Sequence, residues 1–355
     1  MGLHSRWLLT AVVSISLWPA CSPAQDTNWK NLNAQGLEAL EQGRLAEAEK
    51  LLLAAVQEAQ KFGDYNPRLA TSLNNLAQLY SEQGRYAEAE PLLKRALAID
   101  EKVSGPEHRD VAISLDNLAE IYREQARYAE AEPIYKRSLA IRRKALGPDH
   151  PDLAMGLNNL AFLYHAQHRY DEAELLFIRA MKIHEKALGP EHPDVATNLN
   201  NLAEVYREQR RYAEAEPLYK RSLAIREKAL RPDHPDLASS LNNLALLYNA
   251  QGKYTEAEPL YRRALEMVER SLGPEHSQVG ATLGNLAELY REQRKYAQAE
   301  PLYQRAIAIE EKTFGLDHPN VAVLLNYALL LRATGRRNEA AKMEDRARAI
   351  RAKCQ

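Results

Sequence analysis

Seven asparagines, Asn75, Asn117, Asn159, Asn201, Asn243, Asn285 and Asn326, recur every 42 residues, the last arriving one residue early. A carboxamide donates to a carbonyl and accepts from an N–H, so a row of them matches the backbone of an extended peptide. Asn is a mediocre helix former, and its repetition inside helical sequence needs a reason. The competing reason is hydrogen bonding to adjacent helices. Beside the asparagines stand Glu120, Glu204 and Glu288, each followed by an arginine at 123, 207 or 291, and they alternate with Phe162 and Leu246. That alternation has a period of 84 residues. It predicts charged rungs between apolar pockets, hence a partner segment with an apolar anchor about every six residues and Lys or Arg between.

Histidine repeats as well, at His108, His150, His192, His234, His276 and His318. A metal ion needs ligands converging to within about 2.1 Å, whereas these side chains sit one repeat apart. They read as positions just before a helix start, and neither a metal nor a cofactor is expected. No Gly-rich phosphate loop, no His/Cys pairing and no nucleophile with a base in local reach occurs, so the chain is expected not to be an enzyme.

The elements that carry these rows follow from the same period. Tyr86, Tyr128, Tyr170, Tyr212, Tyr254 and Tyr296 mark five intervals of 42 residues. Leu73, Leu76, Ala77 and Tyr80 share one helical face and return in every later copy through Leu283, Leu286, Ala287 and Tyr290. This is helix A of each copy. A second helix, B, follows a Gln-x-(Arg/Lys) turn and repeats Ala89, Leu93 and Ala96 as Ala131, Tyr135 and Ser138. The small residues Ala77 and Ala89 let the two helices approach closely. Loops such as Gly147-Pro148-Asp149-His150-Pro151-Asp152 close helix B with Gly and open the next helix A with Pro and Asp. At 100° per residue, Asn75 and Gln78 point away from the Leu73 face.

The segments Leu-Asn-Asn-Leu-Ala-x-x-Tyr at 73–80, Tyr-Ala-Glu-Ala-Glu-Pro-Leu at 86–92 and Gly-Pro-Asp-His-Pro-Asp at 147–152 resemble the 42-residue tetratricopeptide repeats of the kinesin light chain type. The resemblance covers about residues 28–352. It implies an all-α, right-handed α-solenoid of about eight antiparallel hairpins, at about 28–66, 67–108, 109–150, 151–192, 193–234, 235–276, 277–318 and 319–353. It also implies a protein-binding array whose concave groove clamps an extended peptide or disordered segment with the asparagine row. Affinity near micromolar is expected, because each net hydrogen bond contributes only about 0.5–1.5 kcal/mol. The alternative expectation is an envelope scaffold that meets folded partners through its ends or convex face. The basic final helix favours it, with eight Lys or Arg from Arg332 onward against Glu339, Glu344 and Asp345.

A formal net charge of -1 and only four Phe point to no nucleic-acid partner. The N-terminus reads as a secretory signal over residues 1–24, with an uncharged stretch from Trp7 to Trp18. Twelve residues are too few to span a bilayer, which takes about 20, so no transmembrane segment is expected after processing. Two processing routes are open. Ser22-Pro23-Ala24 suits a signal peptidase and would leave Gln25 first, whereas Ala20-Cys21 resembles the end of a bacterial lipobox and would acylate Cys21. Simple cleavage is the expectation, since Trp18 and Pro19 fit a lipobox badly. Cys354 would then be the one remaining thiol, leaving helix packing alone to hold the array. The expected setting is a bacterial periplasm, outer envelope or exterior.

Overall fold

The computed structural model describes residues 23–315 and 321–353. The expected leader, except for the first residues of its opening helix, lies outside them, as do Cys21, His318 and Cys354. Among the described residues there are sixteen α-helices and no strand. The A helices are α1 (Pro23–Glu41), α3 (Pro67–Glu82), α5 (Arg109–Glu124), α7 (Pro151–Ala166), α9 (Pro193–Glu208), α11 (Pro235–Ala250), α13 (Ser277–Glu292) and α15 (Val321–Ala333). The B helices are α2 (Leu45–Gln60), α4 (Tyr86–Ser104), α6 (Tyr128–Leu146), α8 (Tyr170–Leu188), α10 (Tyr212–Ala229), α12 (Tyr254–Leu272), α14 (Tyr296–Phe314) and α16 (Arg337–Lys353).

Each A helix from α5 to α13 is opened by a histidine. His150 Nδ1 accepts from the Asp152 amide at 3.1 Å, and His108, His192, His234 and His276 do the same at 3.2–3.3 Å. An imidazole thus supplies the acceptor that Ser or Asn usually gives at an N-cap; Asn66 does so for α3. Each A helix from α3 to α13 closes with a residue in the left-handed region. It is Gly84 or Gly252 in two copies, but Ala126, His168, Arg210 and Arg294 sit there at φ 56–59° in the others.

Within a hairpin the faces meet through fully buried alanines, Ala77 with Ala89 in one copy and Ala119 with Ala131 in the next. Large side chains surround them, Leu73, Leu76, Leu79 and Leu93 among others, each contributing about 1.5–3 kcal/mol of burial. Hairpins are joined by a repeated polar staple. Arg127 lies over the Tyr122 ring at 4.1 Å, and both side chains reach Glu90 of the preceding B helix, at 2.7 and 3.1 Å. Arg169, Tyr164 and Glu132 repeat it, as do Arg211, Tyr206 and Glu174. The tyrosine of the A-helix row and the arginine of the Gln-x-Arg turn are therefore both structural.

Candidate partner-binding groove

Successive A helices touch directly: α1 with α3, α3 with α5, α5 with α7, α9 with α11, α11 with α13 and α13 with α15. No two successive B helices pack to that extent among the described residues. The A helices accordingly form the inner, shorter-radius wall, and the asparagine row lies along the seams between them.

The row divides into two kinds. Asn75 Nδ2 donates to Asn33, Asn159 to Asp116, Asn243 to Asn200 and Asn285 to Asn242, all at 3.0 Å, and Asn326 donates to Glu288 at 3.3 Å. These five amides spend a donor on the preceding A helix. Asn117 and Asn201 do not. Each is 5% exposed, and neither side chain has a hydrogen-bond partner among the described residues. The cause lies one copy back. Asn74 turns to donate forward to Ser114 at 3.4 Å, which leaves its Oδ1 buried and unpaired instead of meeting Asn117, and the Asn158 Oδ1 that would receive Asn201 accepts from Asn198 at 2.8 Å.

Beneath those two asparagines lie closed polar clusters rather than solvent-facing rungs. Glu120 accepts from Tyr135 Oη at 2.6 Å and Arg123 Nε at 2.9 Å; Glu204 accepts from Tyr219 at 2.6 Å and Arg207 at 3.0 Å. Both glutamates are buried, at 9% and 7% exposure. Burial alone would raise the Glu204 carboxyl, but the Arg207 guanidinium and the Tyr219 hydroxyl hold it below the ordinary range. The same surroundings push Tyr135 and Tyr219 far above their usual values, burial first and the adjacent carboxylate second. In copy four the pair is apolar, Phe162 meeting Phe177 edge-on at 5.2 Å and 76°. In copy six Leu246 replaces the glutamate and leaves the buried Tyr261 hydroxyl unpaired. Tyr303 is unpaired too, while Glu288 accepts from Asn326. The 84-residue alternation is thus a difference in what supports the wall, carboxylate against tyrosine or ring against ring, as well as in what the wall presents.

The wall also holds a buried ion pair, Arg142 Nη1 to Asp116 Oδ2 at 2.6 Å, with side chains 4% and 7% exposed. Asp116 is the acceptor for Asn159, and Arg142 also reaches Ser138 at 2.6 Å. Gly156 makes room for the guanidinium, since a Cβ there would lie 3.1 Å from Arg142 Nη1. The sequence signal for this pair was a double departure. Aspartate stands where other copies carry Asn74, Asn158, Asn200 or Asn242, and glycine stands where they carry Ser72, Ser114, Asn198 or Ser240.

A tetratricopeptide repeat profile matches residues 31–102, 83–144, 110–186, 152–228, 194–270, 236–312 and 278–353, which is nearly the whole described array. The chain belongs to the tetratricopeptide repeat family. Such repeats are typically non-enzymatic interaction modules that take protein partners. Among solved structures, the array is similar to BtubC (BKLC) of P. vanneervenii, at 23% identity over 69% of this chain and 92% of that one, with a TM-score of 0.50. It is similar to the apo form of RapI at 17% identity over 80% and 98%, with a TM-score of 0.56. A Podospora anserina kinesin light chain protein with nearly identical TPR-like repeats shares 30% identity over 58% of this chain and 97% of its own, at a TM-score of 0.49. No curated protein sequence matches this tetratricopeptide chain significantly. Among its described residues, no helix is long and apolar enough to cross a membrane.

Proposed function

We propose that the A-helix wall of this tetratricopeptide array binds an extended segment of a protein partner, gripping its backbone at copies three and five. The observation that carries this reading is the pair Asn117 and Asn201, whose amides are nearly buried on the inner wall and lack partners while their equivalents are engaged. The amide atoms of both still reach solvent, so a peptide C=O or N–H placed there replaces water and gains about 0.5–1.5 kcal/mol net per hydrogen bond. The two sites are two repeats apart, roughly 16–20 Å, which an extended chain covers in about five or six residues. Phe162 lies between them as the apolar contact, half-buried and backed by Phe177.

The experiment is a phage-displayed peptide selection followed by titration of the best binder by fluorescence anisotropy. Changing Asn117 and Asn201 together to Ala should weaken binding at least tenfold with the helical spectrum intact. Changing Asn159 and Asn243 should cost mainly stability, because those amides already serve the fold. Unchanged affinity in the first variant refutes the reading. We further propose an exported setting, with the leader removed after Ala24. The mass of the mature N-terminus decides this: a diacylglyceryl group on Cys21 would replace Gln25 as the first residue.

A further inference from the structure

The outer face carries a second repeated feature, interrupted in copy four. On four B helices, α6, α10, α12 and α14, an arginine reaches back to a glutamate 36 residues earlier on the preceding B helix. Arg137 meets Glu101 at 2.7 Å, Arg221 meets Glu185 at 2.8 Å, Arg263 meets Glu227 at 3.0 Å and Arg305 meets Glu269 at 2.7 Å. Three of these arginines also donate to the carbonyl of the loop proline, Pro106, Pro190 or Pro274, at 3.2–3.4 Å. In copy four the arginine is Arg179, and the residue 36 earlier is Arg143. The carboxylate of the series is replaced by a second cation. Neither side chain has an ion pair or hydrogen bond among the described residues, and both are exposed.

A cleft of about 480 Å³ opens between α6, α7 and α8 at this point. Its rim carries Arg143, Arg179, Lys136 and Lys144, and its wall includes Leu139 and Leu157. The lysines are already neutralised, Lys136 by Glu132 and Lys144 by Glu107. The uncompensated charge is therefore the arginine pair. One turn before Arg179 on the same helix, Leu175 is 69% exposed, where copies two, three, five, six and seven carry Pro91, Pro133, Pro217, Pro259 and Pro301. An apolar side chain is thus presented beside the two unpaired guanidinium groups.

We propose that this cleft docks an acidic segment of a partner protein, whose Asp or Glu carboxylate takes the place of the missing glutamate between Arg143 and Arg179 while a neighbouring apolar side chain covers Leu175 and Leu139. The chemistry is set by the four paired copies, where a glutamate carboxylate fills this position. A guanidinium pair takes a carboxylate through paired N–H donors, and because both arginines are exposed the contact weakens as salt rises. The surface lies on the opposite side of the array from the asparagine wall, so the two interactions are independent.

The probe is a fluorescein-labelled hexapeptide alternating Leu and Glu, with its Leu/Gln counterpart as control, titrated by anisotropy against the full array. The expected result is saturable binding with Kd of about 0.1 mM, at least tenfold weaker for the Gln peptide. Arg143→Glu restores the ladder pairing with Arg179 and should abolish binding at least tenfold while leaving the helical spectrum unchanged and the melting temperature equal or higher. Arg179→Gln, which introduces no new charge, should weaken it as well. Asn117→Ala with Asn201→Ala should leave this binding unchanged, separating failure here from failure in the groove. The proposal is overturned by no saturation below about 1 mM, by undiminished binding to Arg143→Glu, or by displacement with inorganic phosphate or a DNA oligonucleotide as effective as with the acidic peptide.

Discussion

Replacing Asp116 with Ala removes the acceptor at the centre of the α5–α6–α7 seam. The Arg142 guanidinium, with its side chain 4% exposed, would keep only the Ser138 hydroxyl, and Asn159 would lose its 3.0 Å acceptor. Breaking a buried ion pair from one side costs about 3–5 kcal/mol, because the remaining charge stays desolvated without its counter-ion. The lost Asn159 bond adds about 1 kcal/mol, giving about 4–6 kcal/mol in all. The measurement is urea unfolding by far-UV circular dichroism together with hydrogen exchange resolved by peptide, since a repeat array opens near its weakest seam. Exchange should accelerate first across α5 to α8. The decisive comparison is the double variant Asp116→Leu with Arg142→Met, which removes both charges and should recover all but about 1–2 kcal/mol. A cost below about 1 kcal/mol for Asp116→Ala, or a double variant no more stable than the single one, would refute the reasoning that burial of an unpaired guanidinium sets the penalty.

Two further outcomes follow from the same packing. Burial pushes the Asp100 carboxyl up to about 6 from 3.8, partly offset by the Ser114 hydroxyl bond and reinforced by Asp110. The folded chain therefore binds this proton more tightly than the unfolded one, so the contribution of Asp100 to stability is full below 3.8 and is lost as pH rises through about 6. Asp100→Asn should raise stability at pH 7 by about 2–3 kcal/mol and flatten thermal melts recorded between those limits. Arg210 holds φ 59° where Gly84 and Gly252 stand in other copies. Arg210→Gly should stabilise the array by about 1 kcal/mol, read as a higher urea midpoint, because the left-handed region costs glycine nothing.

The asparagine row was fully legible as a row, and its seat on the A helices followed from helical spacing. What each amide does was not. Asn75 and Asn117 occupy the same repeat position, yet one is bonded to Asn33 and the other is left without a partner. The difference arises from residues at other positions, Ser114 and Asn198, which turn the amides of Asn74 and Asn158 away. Glu120 and Glu204 were readable as partners of Arg123 and Arg207 but not as the acceptors of Tyr135 and Tyr219, fifteen residues on and across the hairpin. The histidine row was readable as a helix-start position, although the imidazole nitrogen's service as the cap emerges only in the folded chain.

The sequence by itself determined the hairpin, its period and its order along the chain, because those depend on contacts within about 42 residues that every copy repeats. Local rules of helical face, small-residue contact and Gly or Pro punctuation act the same way in each copy, so repetition amplifies them. Only the tertiary structure decided which members of each row are spent on the fold and which remain free. That choice depends on side chains from adjacent copies meeting across a seam, where one departure such as Asp116, Arg143 or Gly156 redirects its neighbours' hydrogen bonds.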